Sequence, residues 1–211
     1  MRLNFKIVAY LFVLFVFSGT KAGSYEDFFV AVMRDDASSV ETLLRRGFDP
    51  NSRDPKGQPG INLAVQRDSA RTLKVLLAHP DIDVNTNNAA GENALMLAAL
   101  KGDLPLCERM LERGGRVDQD GWAPLHYAAT GPNMRIIDLL LRRGATVDAL
   151  SPNRSTPLMM AARYGSDEGV QILLDHGADP KRRNERDLSA ADFARLGGRD
   201  RLAQRLQALQ R

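Results

Sequence analysis

The sequence has one cysteine, one long apolar run and none of the common catalytic motifs. Cys107 has no partner within the chain, which excludes an intrachain disulfide scaffold. The apolar run, residues 7–17, has eleven residues, whereas a membrane-spanning helix needs roughly 20. No H-E-x-x-H, C-x-x-C, P-loop or G-x-S-x-G pattern occurs, so the sequence predicts no catalytic set, no metal site and no cofactor.

Residues 1–22 have the composition of a cleavable secretory signal peptide. Arg2 and Lys6 precede the apolar run, and small or polar residues follow it up to Ala22. We expect cleavage after Ala22, with cleavage after Gly19 as the alternative. Loss of this segment removes three of the 29 basic residues and none of the 26 acidic ones, which leaves a net charge of zero. A mature chain without excess charge argues against a nucleic-acid-binding function.

A sequence block recurs six times after residue 23. Each copy contains a marker alanine, and these alanines are residues 31, 64, 98, 128, 161 and 194, which lie 30 to 34 positions apart. The block begins with a short turn and an alanine-rich helix, followed by a glycine-containing break and a leucine-rich helix. The clearest copies of its first part are residues 91–99, 121–129 and 154–162.

The fifth copy shows why these residues specify a helix pair. Thr156 can cap a helix whose first position is Pro157, where a missing N–H group costs nothing. Gly165 breaks this helix, and Gly177 stands at the left-handed position that ends the second helix. The corresponding residues in other copies are Pro124, Gly47, Gly114 and Gly144.

This spacing and the Thr-Pro-Leu-His-like block resemble the ankyrin repeat. The resemblance covers essentially residues 24–211 and implies one domain, residues 23–211, folded as an all-α ankyrin repeat solenoid with short β-hairpin-like tips. Four recognisable inner repeats would lie between two degenerate caps. The predicted units are residues 24–53, 54–87, 88–117, 118–150, 151–183 and 184–211. The resemblance also implies that His126 hydrogen-bonds to backbone and ties neighbouring units together.

Two departures from the repeat carry structural predictions. The spacing of 30 residues between the third and fourth alanines implies that three residues are missing between Gly114 and Gly121, so we expect a shorter tip there. In the last helix, Leu202, Leu206 and Leu209 share one face, and polar residues including Arg199 are expected on its outer side.

Cysteine and histidine are expected to have structural roles. Cys107 lies on the apolar face of its helix, which favours a buried hydrophobic residue over a redox-active thiol. His79 and His176 lie at helix ends, where a positive charge complements the helix dipole.

The resemblance places partner binding on the tips and on the exposed ends of the first helices. Trp, Tyr and Arg contribute most to interface energies, so Trp122, Arg163 and Tyr164 are expected to form one patch. Alternatively, Trp122 only covers its turn. The candidate residues at these places are Trp122, Arg163, Tyr164, Lys101, Glu92, Asp120, Arg67 and Arg195.

These observations predict an exported, non-enzymatic protein–protein interaction module that binds one protein partner on its concave face as a monomer. The expected compartment is the bacterial periplasm, with secretion as the alternative. Two roles fit the prediction: an immunity-type inhibitor of an envelope-targeting toxin, or a scaffold that stabilises a periplasmic enzyme of oxidative-stress defence.

The basic residues of the last tip leave further hypotheses open. Lys181, Arg182, Arg183 and Arg186 form a solvated cap surface or a site for an acidic partner. A third function, attachment to anionic lipid surfaces, depends on this cluster alone.

Overall fold

The computed structural model describes residues 23–210, which form twelve helices in six consecutive pairs. The predicted signal peptide, residues 1–22, lies outside the described residues. Helix α1 covers residues 23–33. The other helices are α2 Ala37–Arg45, α3 Gly60–Gln66, α4 Ala70–Ala78, α5 Ala94–Lys101, α6 Leu104–Glu112, α7 Pro124–Thr130, α8 Met134–Arg142, α9 Pro157–Tyr164, α10 Asp167–Asp175, α11 Ala190–Leu196 and α12 Asp200–Ala208.

The helices belong to two compact units that divide between Ile82 and Asp83. Among residues 23–210, extended pairing is limited to two isolated β-bridges, Arg53–Pro59 and Arg183–Ser189. No helix in this range is long and apolar enough to cross a membrane.

The first unit contains helices α1 to α4 and is built around aromatic rings. Phe28 is fully buried, stacks on Phe48 at 4.6 Å between ring centroids and meets Phe29 edge-on at 5.2 Å. The buried Ser69 hydroxyl donates a hydrogen bond of 2.7 Å to the Val32 carbonyl, which satisfies a backbone group at the end of α1. The first two pairs are thus held together by burial and by polar contacts, of which this hydrogen bond is one.

The second unit contains helices α5 to α12. Helices α5, α7, α9 and α11 pack side by side in chain order, and each second helix packs on the first helix of its own pair. The marker alanines of this unit are all buried. Their small side chains allow the close packing, since larger ones would keep neighbouring helices apart. Helices α6, α8 and α10 are followed by Gly114, Gly144 and Gly177, whose φ angles are 85°, 90° and 86°.

The connecting tips are closed by one recurring hydrogen bond. In four of them a backbone N–H donates to the carbonyl four residues later, at 2.8 to 3.0 Å. These tips match the predicted hairpin-like connections. The donor and acceptor pairs are Asp54 and Gln58, Asn88 and Glu92, Ser151 and Ser155, and Asn184 and Leu188.

The shortened tip before α7 is closed by a side chain instead. The Gln119 side-chain amide donates 2.9 Å hydrogen bonds to the Trp122 carbonyl and to the Gly91 carbonyl of the preceding tip. The Trp122 carbonyl occupies the position that accepts the backbone bond in the other tips. A glutamine therefore replaces the missing turn residues and also joins two tips.

The last helix corrects part of the sequence prediction. Leu202 and Leu206 are buried as expected, but Leu209 is 49% exposed because it follows the end of α12. Arg199 does not face outward. Its guanidinium donates to the carbonyls of Ala161, Ala162 and Gly165 at 2.9 to 3.0 Å, and its side chain is only 21% exposed. No local sequence signal indicates this contact with the end of α9.

Candidate partner-binding site

The structure brings Trp122, Arg163 and Tyr164 together in the second unit. Trp122 lies in the tip before α7, and Arg163 and Tyr164 form the exposed end of α9. The three side chains line one depression, and the Arg163 guanidinium carbon lies 4.9 Å from the centre of the Tyr164 ring. Tyr164 is 55% exposed, so this contact leaves most of its ring accessible.

We call this feature the arginine depression. Its volume is about 240 Å³. The residues that define it here are Trp122, Met160, Arg163, Tyr164, Arg186 and Leu196.

A second cavity, the apolar depression, adjoins the first and has a volume of about 180 Å³. Trp122 and Met160 line both features, so the two depressions are contiguous. Its lining residues are Leu100, Trp122, His126, Tyr127, Thr130 and Met160.

The remaining candidate residues line neither depression. Lys101 and Asp120 are exposed in the second unit, and Arg67 is exposed in the first. Glu92 accepts a 2.9 Å hydrogen bond from the Tyr127 hydroxyl, which ties the carboxylate to the wall of the apolar depression. Arg195 lies 2.8 Å from Asp192, one turn earlier in α11, so part of its charge is already used within the chain.

Sequence reasoning missed Leu100, Met160 and Leu196. Apolar residues in a helix are normally assigned to the core, yet Leu100 and Leu196 are 43% and 56% exposed. A signal was present, because both lie seven residues after the N-cap of their helices and Met160 lies four after its own. Positions four and seven share one helix face, so aligning the copies would have shown an apolar stripe.

His126 forms the floor of the apolar depression. Its Nδ1 accepts a 3.1 Å hydrogen bond from the Ala123 N–H, and its Nε2 lies 3.0 Å from the Ser155 carbonyl. The histidine thus satisfies the N–H of Ala123, the N-cap residue of α7, and also holds the next tip. Trp122 packs edge-on against the ring at 5.3 Å, so the indole covers this turn as well as lining both depressions.

This geometry predicts that the second unit loses stability in mild acid. Burial lowers the pKa of His126 below its ordinary value of 6.5, because the charged imidazolium is desolvated. A protonated Nδ1 is also a donor and could not accept the bond from the Ala123 N–H. The unfolded chain then binds more protons, so stability is complete above pH about 6.5 and falls as the pH drops further.

Urea denaturation followed by the fluorescence of Trp122, the chain's one tryptophan, measures this effect. In the wild type the urea midpoint should decrease as the pH is lowered from neutral to acidic values. In His126→Gln it should depend less on pH. His176→Gln, at an exposed helix end, is the matched control and should keep the wild-type slope. An unchanged slope in His126→Gln would contradict the assignment.

The one thiol of the chain is buried in the core. Cys107 is fully buried, and burial, with smaller effects from the charges of Asp103 and Glu108, raises the pKa of its thiol to about 12. The buried structural role predicted for this residue is confirmed. Within residues 23–210 no three His, Cys, Asp or Glu side chains lie close enough to hold a metal ion.

A family model described as ankyrin repeats (3 copies) matches residues 28–118 and 95–184. The chain belongs to the ankyrin repeat family. The all-α ankyrin repeat fold predicted from the sequence is therefore confirmed, and ankyrin repeats mediate protein–protein interactions.

Curated ankyrin proteins align with most of the chain. Human transient receptor potential cation channel subfamily A member 1 is 29% identical over 70% of the chain, and Caenorhabditis elegans protein glp-1 is 29% identical over 76%. The mouse B-cell lymphoma 3 protein homolog is 30% identical over 74%. The chain spans only 14%, 14% and 36% of these proteins' lengths.

A solved structure of similar size shares the ankyrin fold. It is one chain of the Bd0816 predatory endopeptidase from Bdellovibrio bacteriovorus in complex with the immunity protein Bd3460. The alignment has a TM-score of 0.73 and 23% identity, and covers 86% of this chain and 97% of that one. At this identity the similarity concerns the fold alone.

Proposed function

We propose that this ankyrin protein is an exported, non-enzymatic module that binds one protein partner through the two depressions of its second unit. The observation that carries the proposal is the exposure of Leu100, Tyr164 and Leu196 around them. Large apolar side chains left in water at one place are typical of an interaction surface. Trp and Arg, which also line these depressions, are frequent in the energetic centres of interfaces.

A non-enzymatic function is supported by how the reactive residues are used. A thiol with a pKa near 12 is not a nucleophile at neutral pH, and the two nitrogens of His126 are both engaged with backbone groups. Catalysis would require a nucleophile and a base within reach of each other in an accessible cavity.

The proposed compartment is the periplasm, on the basis of the signal-like composition of residues 1–22. Within that compartment we favour an immunity-type inhibitor that covers the active site of an envelope-targeting toxin. The fold shared with a chain from an endopeptidase–immunity protein complex supports this role. A scaffold that stabilises a resident enzyme, such as one of peroxide defence, is the alternative outcome.

The test is quantitative affinity purification of the full chain, carrying a C-terminal tag, from the envelope fraction of its own host. We expect one stoichiometric partner, and a recovered chain that begins at Gly23. An uncleaved chain in the cytoplasm would contradict the proposed export. Partner recovery should be lost in the triple variant of Trp122, Arg163 and Tyr164 to alanine.

The control is alanine at three exposed positions of the second helices, Arg135, Glu168 and Gln171. This variant should recover the partner fully. Because Trp122 packs on His126, the double variant of Arg163 and Tyr164 repeats the test without touching the turn. Equal recovery by all variants would exclude the depressions as the binding site. Inhibition of the purified partner would identify an immunity function, and increased stability without inhibition would identify a scaffold.

A further inference from the structure

The arginines near the last tip of the second unit fall into two groups. Four of them pair with carboxylates, whereas Arg163 and Arg186 have no carboxylate within salt-bridge distance among residues 23–210. Both of these arginines line the arginine depression. The paired residues are Arg182 with Asp148, Arg183 with Asp187, Arg195 with Asp192 and Arg199 with Asp167.

The lining of the arginine depression therefore favours negative charge. Its lining contains two cationic side chains and no anionic one. Asn184, which also lines it, is occupied by the tip, since its side-chain oxygen accepts from the backbone of Arg186 and Leu188. A guanidinium can bind a carboxylate with two parallel hydrogen bonds, so two arginines at one depression favour an acidic ligand.

The lining of the adjoining apolar depression favours a different kind of group. Its two hydroxyl groups are already hydrogen-bonded within the chain: the Thr130 hydroxyl donates to the Tyr127 carbonyl at 2.9 Å, and the Tyr127 hydroxyl donates to Glu92. Both ring nitrogens of His126 are engaged as described above. An occupant therefore meets the apolar surfaces of Leu100 and Met160, which favour an apolar side chain.

We propose that the two depressions together bind a short acidic segment of the protein partner. A large apolar side chain of that segment fills the apolar depression, and a nearby carboxylate binds Arg163 and Arg186. Trp122 and Met160 separate the two subsites and contact both parts of the segment. This inference rests on the proposed function and adds to it the chemistry of the partner.

Three observations favour a protein segment over a lipid or a nucleic acid. The residues after position 22 carry no net charge, whereas polyanions are bound by broad positive surfaces. The exposed residues Leu100, Tyr164 and Leu196 surround two small cavities and do not form the broad apolar helix face of a membrane-surface protein. Two of the four basic tip residues, Arg182 and Arg183, are already paired with the carboxylates named above.

A displayed library of random short peptides, selected on the full chain, tests the inference without knowledge of the natural partner. We expect the selected peptides to share Asp or Glu within a few positions of Leu, Phe or Met. The affinity of a selected peptide should fall at least about tenfold in the Arg163→Gln, Arg186→Gln double variant. Its affinity should also weaken with added salt in the wild type and much less in the double variant.

Matched variants separate charge at this site from charge in general. Arg135→Gln with Arg201→Gln removes two exposed arginines from second helices and should leave the affinity unchanged. Met160→Gln should weaken binding of the same peptide while preserving its salt dependence. Circular dichroism confirms that each variant is folded.

Selected peptides without acidic residues, or equal affinity in wild type and double variant, would overturn the inference. So would selective binding to phosphatidylglycerol vesicles with no peptide selected. These outcomes are distinct from failure of the proposed function. In one further outcome, the purified partner loses affinity for the Trp122, Arg163 and Tyr164 triple variant and yet binds the Arg163→Gln, Arg186→Gln double variant as tightly as the wild type. In that case protein binding at the depressions is supported and only the acidic segment is rejected.

Discussion

Replacing Gly165 with alanine should destabilise the second unit by about 3 kcal/mol, near the upper end of the usual cost of overpacking a core. An added Cβ would lie 2.2 Å from the Ala129 carbonyl oxygen of the preceding pair. Since that oxygen belongs to the backbone, it cannot move without displacing α7 relative to α9. The φ angle of Gly165 is −91°, so close approach and not an unusual conformation requires glycine here.

Two comparisons make this prediction specific. Gly177 has a φ of +86° and open space around it. Gly177→Ala should therefore destabilise the unit only by the energy of placing alanine in a left-handed conformation, about 1 to 2 kcal/mol. Alanine at Gly131 and Gly197 would place Cβ at 2.5 Å and 2.7 Å from backbone oxygens. Urea midpoints from Trp122 fluorescence should therefore rank Gly165 as most sensitive, then Gly131, then Gly197. A smaller effect at Gly165 than at Gly177 would refute the close-packing account.

Replacing Arg199 with alanine should destabilise the C-terminal helix pair, α11 and α12, by about 2 to 3 kcal/mol. The reason is that hydrogen bonds from a charged donor to largely buried acceptors are lost. One guanidinium group satisfies three carbonyls at and just beyond the end of α9. Without it, these carbonyls have to be hydrated and the start of α12 loses a link to the preceding pair. Amide hydrogen exchange in Asp200–Ala208 should accelerate about 30- to 140-fold, as expected for this free energy.

Two controls separate the carbonyl contacts from charge. Arg201→Ala removes an exposed arginine from the same helix and should leave exchange unchanged. Asp167→Ala removes the carboxylate partner of Arg199, which is 65% exposed, and should have a small effect because exposed ion pairs contribute little. If Asp167→Ala were as harmful as Arg199→Ala, the ion pair would be the important contact.

The helix pairs could be predicted because their signals are local. Thr156 caps α9 through a 3.3 Å bond from the Met159 N–H, and Pro157 follows at the first helical position. Such contacts span three or four residues, so the sequence around each turn determines them. Because the block repeats, the helix pair predicted for one copy could be predicted for the other copies as well.

Contacts between pairs could not be predicted in the same way. Arg199 reaches carbonyls that are 34 to 38 residues earlier in the chain, and polar residues in an amphipathic helix are assigned to solvent by default. Gln119 is a similar case: the shortened connection was visible, but the side-chain bond that closes it was not. Both depend on which long side chain reaches across to the neighbouring pair.

The part of the candidate site that could be predicted consists of residues at equivalent positions in adjacent repeats. Trp122, Arg163 and Tyr164 were expected to be neighbours because they occupy adjacent copies, and they line one depression. The partner-binding role of these residues stays a prediction. Met160 was missed because an apolar residue next to the marker alanine is normally part of the core, and only the packing shows it between two depressions.

The central claim, that a protein partner binds these depressions, is tested most directly by site-specific photocrosslinking in the native envelope. A photoreactive phenylalanine analogue at Tyr164 should crosslink to one protein in good yield, while the same analogue at the exposed Gln171 of α10 should not. Crosslinking from both positions to the same protein, or from Gln171 alone, would place the interface elsewhere. No crosslink from Tyr164 in cells where affinity purification recovers a partner would contradict the claim.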